Sequence, residues 1–352
     1  MIGRAHATSY LRSTIFHRDE ALKLMARYFI TGIAGFIGSS LARALLASGH
    51  EVRGVDNLSC SDSSNLSDIL SDIDFCQMDI NETDRLCDFM RGVDFVLHEA
   101  ALASVPRSIN DPMSSHTANA TGTLSVLMAA QTAGVSRVVY AASSSAYGDQ
   151  EAHPKHESMC PAPLSPYAVQ KLAGENYVKS FWAVHGLEGV CLRYFNVFGP
   201  GQAADSPYSG VIARFITDML AGEQSTIFGD GFQSRDFTYV ANVVSANLLA
   251  CQAPREAVAG EVFNVGTGRS QTLNTLYATL ARILDFQAAP TYKKMRAGDV
   301  FQSQADISRA RSALGYSPTH TFEQGLEETV SWYIQKTLKI VPKHFEQMAI
   351  SR

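Results

Sequence analysis

Residues 31–56 read TGIAGFIGSSLARALLASGHEVRGVD, and few folds accommodate such a stretch. The β-branched and aromatic run YFIT (28–31) leads into it, an apolar period of 3.6 starts at Phe36, and EVRGVD returns to a strand pattern. Between the strand and the helix, Gly32, Gly35 and Gly38 remove three side chains, so the chain can turn tightly and a pyrophosphate can approach the helix N-terminus. Asp56 closes the second strand eighteen residues after Gly38, placed to accept hydrogen bonds from an adenosine ribose. A carboxylate there repels a 2′-phosphate, and no arginine follows it immediately in DNLSCSD, so NAD is expected rather than NADP. Phe36 and Ile37 between the glycines, Asn57 beside the acid, and Asp79 and Ile80 after the third strand complete the expected adenosine-side lining.

The same alternation continues. IDFCQMD and VDFVLHEA read as strands, a long helix is expected near 112–134, RVVYAAS is a further strand, a helix starts at Ser165, and LEGVCLRYF is a strand again. Strands alternating with helices predict an α/β fold with a doubly wound parallel sheet over 27–196. After Asn196 the rhythm breaks into NVFGPGQ and FGDGFQSRDF, which predicts a second, smaller lobe over 197–352. GEVFNVGTG (260–268) reads as one more strand returning to the first sheet. Residues 1–26 share no pattern with the rest and are set apart as an N-terminal extension without an assigned role.

With 352 residues, the chain is long enough for two lobes. A formal net charge of −5 and no Lys/Arg cluster argue against nucleic-acid binding. No apolar run reaches the roughly eighteen residues of a membrane span, and no secretory leader precedes the first strand, so a cytoplasmic protein off the membrane is expected. Six cysteines without CxxC spacing suit reduced thiols better than disulfides or a metal site.

A second motif joins AASSSAYGD (141–149) to SPYAVQK (165–171). Tyr167 and Lys171 lie four residues apart, on one face of a helix. An ammonium so placed is expected to lower the phenol's pKa and make it a general base for an alcohol proton. In an open α/β sheet both the glycine turn and the serines fall at the carboxyl ends of strands, where ligands bind.

These stretches, together with HEAALASVPRS, RYFNVFGPGQ, GDGFQSRDFTYV, FNVGTG and RAGDVFQSQADIS, resemble the extended short-chain dehydrogenase/reductases. Within them the likeness is to UDP-sugar 4-epimerases, most of all to those acting on UDP-N-acetylglucosamine, and it runs from about residue 28 to 338. The resemblance implies a Ser143, Tyr167, Lys171 catalytic set, because the family's serine lies four residues before the tyrosine of YG, here Tyr147. It implies a UDP-sugar substrate, inversion at C4 through a transient 4-ketose with NAD as hydride carrier, and a homodimer joined through the helices near 112–134 and 165–185. Ala100, Ala101 and Asn119 match the family's cofactor lining. Asn196, Arg235 and Arg296 match pyrophosphate ligands, and Phe228 a uracil contact. Ser144 and Ser145 stand where related dehydratases carry Asp and Glu, which argues against dehydration. Ala103 and Ser104, with Ser144 and Ser145, are expected to line the sugar pocket. Ser303 matches a position where epimerases restricted to UDP-glucose and UDP-galactose carry tyrosine, so a larger 2-substituent is expected to fit.

Overall fold

The computed structural model describes residues 25–61, 63–203, 210–295 and 300–350, with side chains described to residue 338. Arg296, one of the expected pyrophosphate ligands, lies outside the described residues. The seven strands of the main sheet are β1 (Arg27–Thr31), β2 (Glu51–Asp56), β3 (Asp74–Gln77), β4 (Phe95–His98), β5 (Arg137–Ser143), β6 (Glu188–Tyr194) and β7 (Glu261–Val265). Their order is β3-β2-β1-β4-β5-β6-β7, and every pairing is parallel. The chain winds outward from β1 to β3, then returns to lay β4 against the other side of β1. The connections at the carboxyl ends of β1 and β4 therefore leave in opposite directions and open a crevice there.

Helices cover both faces, as a parallel sheet requires. Along β5, Val139 and Ala141 join the core under α1 (Phe36–Ala47), while Val138, Tyr140 and Ala142 join the core under α2 (Thr83–Phe89), α3 (Gly122–Ala133) and α4 (Pro166–His185). This alternation is the period of two that sends successive side chains to opposite faces.

The helix expected near 112–134 is one run in three parts: Pro112–His116, a wider π-type turn over Thr117–Thr121, and α3. The extra residue in that turn belongs to the segment presenting Asn119, whose buried side-chain amide brackets the backbone of Leu102 (Leu102 N to Oδ1 2.8 Å, Nδ2 to Leu102 O 3.3 Å). Such turns recur where a helix must place a side chain out of register.

The second lobe has its own core, with Ile212, Phe215 and Ile216 from α5 (Val211–Leu220), Leu276 and Leu280 from α7 (Leu273–Leu284), and Phe322 and Leu326 from α8 (Phe322–Ile350). The return to the first sheet involves more than β7. Helix α6 (Val240–Gln252) sends Val243, Ala246 and Ala250 into the same core as Ile30 and Leu41 of the glycine-motif unit. Among the described residues no helix is long and apolar enough to cross a membrane.

Candidate active site

The glycine turn shows why three glycines are needed. At Gly32, φ is +71°, and an added Cβ would lie 2.8 Å from the Ala100 backbone at the end of β4. At Gly38 an added Cβ would lie 2.2 Å from the Gly32 carbonyl oxygen, so α1 could no longer pack on the turn. Gly35 heads α1 with no side chain capping it, leaving the helix N-terminus approachable by an anion.

Beside this turn lies a cleft of about 890 Å³ bordered by Gly32, Gly35, Phe36, Asp56, Asn57, Asp79, Ile80, Ala100 and Ala101. Ile37, Gly38 and Asn119 do not border it. Gly38 acts through packing, and Asn119 through its grip on the Leu102 backbone. Asp56 is buried at the end of β2, where Oδ2 accepts from Ala34 N (3.1 Å) and Oδ1 from Leu58 N (2.8 Å). Burial pushes its pKa up, and the backbone N–H groups pull against that shift. Asp79 is held below its usual value: burial alone would raise it, but Asn81 and Asn57 donate to the carboxylate. A glycine cradle against a helix N-terminus, with an acid at the end of the next strand, fits a dinucleotide.

The second cluster forms at the end of β5, one strand beyond β4. Ser143 is the last residue of β5, and its Oγ accepts from Ser145 N (3.2 Å) and from Ser145 Oγ (2.8 Å). Helix α4 begins under a Ser165 cap (Ala168 N to Oγ 3.2 Å) with Pro166 in its first turn. It brings half-buried Tyr167 to the end of β5, where the Ser143 hydroxyl acts on the phenol and opposes the effect of burial. Lys171, one turn on, is buried; its Nζ donates to Ala141 O (2.8 Å) and stands 5.0 Å from the centroid of the Tyr140 ring.

The electrostatics correct one expectation. Burial raises the Tyr167 pKa, and the opposing influence is the hydrogen bond from Ser143 rather than Lys171. The reason is geometric, since the Lys171 ammonium is committed to the Ala141 carbonyl and the Tyr140 face. Burial lowers the Lys171 pKa to about 8, with Glu99 and Glu175 opposing that fall. Glu99, half-buried in the cleft wall after β4, accepts from the Tyr194 hydroxyl (2.8 Å), and burial raises its carboxyl to about 7.

The remaining predicted residues are divided between the two lobes, with Arg235, Phe228 and Ser303 on the second and Asn196, Ala103, Ser104 and Ser144 on the first. Asn196 is exposed just past β6 with φ +26°, a conformation few non-glycine residues adopt, and its carbonyl accepts from Thr238 N (3.1 Å). Arg235 and Ser303 meet through Ser234: Ser303 N donates to Ser234 O (3.0 Å), and Arg235 Nη1 donates to Ser234 O (2.8 Å) and Phe301 O (3.3 Å). Phe301 N in turn reaches Asp149 Oδ1 (3.3 Å), joining this segment to the YGD loop. Phe228 is half-buried at the end of the short strand Thr226–Phe228. Ala103 is exposed, while Ser104 Oγ is engaged as a helix cap, accepting from Arg107 N (3.2 Å). Ser144 is half-buried between Ser143 and Ser145.

Sequence reasoning passed over three residues. Glu99 was hidden inside HEAAL. Asn65 donates to Ala34 O (3.1 Å) and Gly201 O (3.3 Å), tying the glycine turn to the second lobe. Asp236, buried next to Arg235, accepts from Thr267 N (2.8 Å), Gly268 N (2.9 Å) and Ala305 N (3.2 Å). Its only signal was an acid set between two glycine-rich loops.

Fold and site together define an α/β enzyme built around a dinucleotide cleft and a Ser/Tyr/Lys cluster. The profile of the NAD dependent epimerase/dehydratase family matches residues 28–266, and the chain belongs to that family. A UDP-glucose 4-epimerase of Mycolicibacterium smegmatis is 38% identical over 317 residues, spanning 88% of this chain and 99% of that protein. The crystal structure of UDP-glucose 4-epimerase from Thermotoga maritima with UDP-glucose superposes with a TM-score of 0.84 at 37% identity, covering 89% of this chain and 99% of that one. The UDP-N-acetylglucosamine 4-epimerase of Methanobrevibacter ruminantium, solved with UDP-N-acetylmuramic acid, gives 0.84 at 38% identity with the same coverage.

Proposed function

We propose that this protein inverts C4 of a UDP-hexose while keeping NAD bound between turnovers, with UDP-N-acetylglucosamine and UDP-N-acetylgalactosamine as its preferred pair. The observation that carries the reading is the placing of Ser143, Tyr167 and Lys171 together at the carboxyl end of β5, two strands from the glycine turn. When bound, NAD supplies the acceptor and donor of the C4 hydride. Tyr167 takes the proton of the sugar 4-hydroxyl and later returns it, and Ser143 holds that oxygen. Lys171, with one N–H given to Ala141 O, keeps two further donors for the nicotinamide ribose. Asp56 accepts from the adenosine ribose, and Asn196 and Arg235 take the substrate's phosphates.

The preference for an N-acetylated sugar rests on Ser303 and small Ala103. A UDP-glucose/UDP-galactose enzyme is the second reading, favoured by the Mycolicibacterium relative. An NAD-sensing protein without catalysis would not require Ser143, Tyr167 and Lys171 to converge. Exposed Met113, Met128, Val169 and Val184 on the helices around α3 and α4 support a homodimer through that face.

Purified protein incubated with UDP-N-acetylglucosamine, UDP-glucose or UDP-glucuronate and no added cofactor should reach a C4 equilibrium mixture with the first, followed by NMR. Turnover that consumes NAD or NADP stoichiometrically would instead mark a net dehydrogenase or reductase. A pH profile supplies a separate check. Lys171 is lowered to about 8 and Glu99 opposes that fall, so removing the carboxylate lets the ammonium lose its proton at still lower pH. Glu99→Gln should therefore move the alkaline limb of kcat to lower pH by up to about one unit. A limb left at the wild-type position would show that the two groups do not communicate.

A further inference from the structure

The three serines after β5 differ in what their hydroxyls do. Ser143 Oγ accepts twice from one residue, from the Ser145 backbone N–H (3.2 Å) and from the Ser145 hydroxyl (2.8 Å). A serine hydroxyl has two lone pairs and one proton. With both lone pairs engaged by Ser145, Ser143 has only its proton left to give, and the Tyr167 phenol on α4 is the group whose pKa its hydroxyl lowers. The short 3-10 turn Ser144–Tyr147 makes this possible: Ser143 is extended (φ −144°, ψ 140°) and caps the turn, which folds Ser145 back over it.

We infer that Ser145 is a positioning residue that fixes Ser143 as an obligate hydrogen-bond donor toward whichever oxygen, the Tyr167 phenolate or the sugar O4, carries the negative charge during proton transfer. The opposite polarity would have Ser143 donating to Ser145. Its freed lone pair would then suit a neutral Tyr167 hydroxyl, and nothing in the trio would stabilise the deprotonated base. Charge-assisted donation is the stronger arrangement, and it is available only when Ser145 supplies its own proton to Ser143. This inference rests on Tyr167 being the base. It gives Ser145 a part in the proton chemistry distinct from lining the sugar pocket.

The other groups facing Tyr167 stay unchanged in the test: Tyr140 from β5, Lys171 one helical turn on, and Glu99 behind Lys171. Ser145→Ala should lower kcat about three- to tenfold, the scale of one lost hydrogen bond, and move the acid limb of kcat to higher pH because the phenolate loses support. KM should stay within about twofold, since the Ser145 hydroxyl is spent on Ser143 rather than on the sugar. Ser145→Thr, which keeps the hydroxyl, should restore both values, and it keeps the test readable if the alanine variant folds poorly. In a Ser143→Ala background, Ser145→Ala should add nothing. An unmoved acid limb in Ser145→Ala, an effect on KM alone, or an effect that multiplies with Ser143→Ala would overturn the inference and leave Ser145 a pocket-lining residue. Near-wild-type kcat in Ser143→Ala itself would instead remove the Ser143–Tyr167 reading on which it stands.

Discussion

Tyr167→Phe should lower kcat by about 10² to 10⁴ while the protein still carries NAD, the range expected when a general base is lost and binding is kept. Phenylalanine preserves the ring that α4 holds near the end of β5 and removes only the oxygen that meets Ser143. The residues fitted to the dinucleotide's adenosine half, Gly32, Gly35 and Asp56, border a cleft that Tyr167 does not line, so cofactor content measured on the denatured protein should match wild type. The thermal midpoint should also change little, because Tyr167 is only half-buried. A variant that turns over at near the wild-type rate would remove Tyr167 as the base, whatever its cofactor content.

The parts of this molecule that could be read from its sequence are those in which one residue's chemistry is fixed by its immediate neighbours. Gly32 and Gly38 are legible because a strand and an amphipathic helix flank them, and the close approaches to Ala100 and to the Gly32 carbonyl follow from joining those elements in one short turn. Tyr167 and Lys171 are legible as a shared helix face. What Lys171 does with that face is not, because its partners come from β5, thirty residues back. The same spacing that aligns the two side chains carries no information about burial, and burial decides the direction of the Tyr167 shift.

Long-range polar closures were the least visible. Asp236 meets Thr267, Gly268 and Ala305, and Glu99 meets Tyr194, across sequence separations where no local pattern survives. The placement of α6 was equally hidden: apolar periodicity identifies a helix but not which of two cores it joins. The glycine-rich loops after Asn196 announced a second lobe, yet α6 and β7 both pack back on the first sheet.

Ser303→Tyr should change which sugar the enzyme accepts, reducing kcat/KM for UDP-N-acetylglucosamine between about 5-fold and 150-fold relative to UDP-glucose. That factor corresponds to the roughly 1 to 3 kcal/mol needed to force extra volume into a packed site. Ser303 is half-buried, and its backbone is pinned by Ser303 N donating to Ser234 O (3.0 Å), on the residue next to Arg235. On the other side Phe301 N bonds Asp149 Oδ1 (3.3 Å), two residues past the short turn that begins with Ser144. The segment is thus tied both to an expected phosphate ligand and to the serine turn, and has little freedom to retreat from a larger side chain. A tyrosine ring introduced there must project from a fixed backbone, so the volume it takes comes from the proposed sugar pocket. UDP-glucose, lacking the acetamido group, should retain or gain turnover in the same variant. Measuring kcat/KM for both substrates in wild type and variant isolates the effect from any general loss of activity, because such a loss cancels in the ratio. A ratio that does not move would remove Ser303 from the sugar pocket and shift support to the UDP-glucose/UDP-galactose reading.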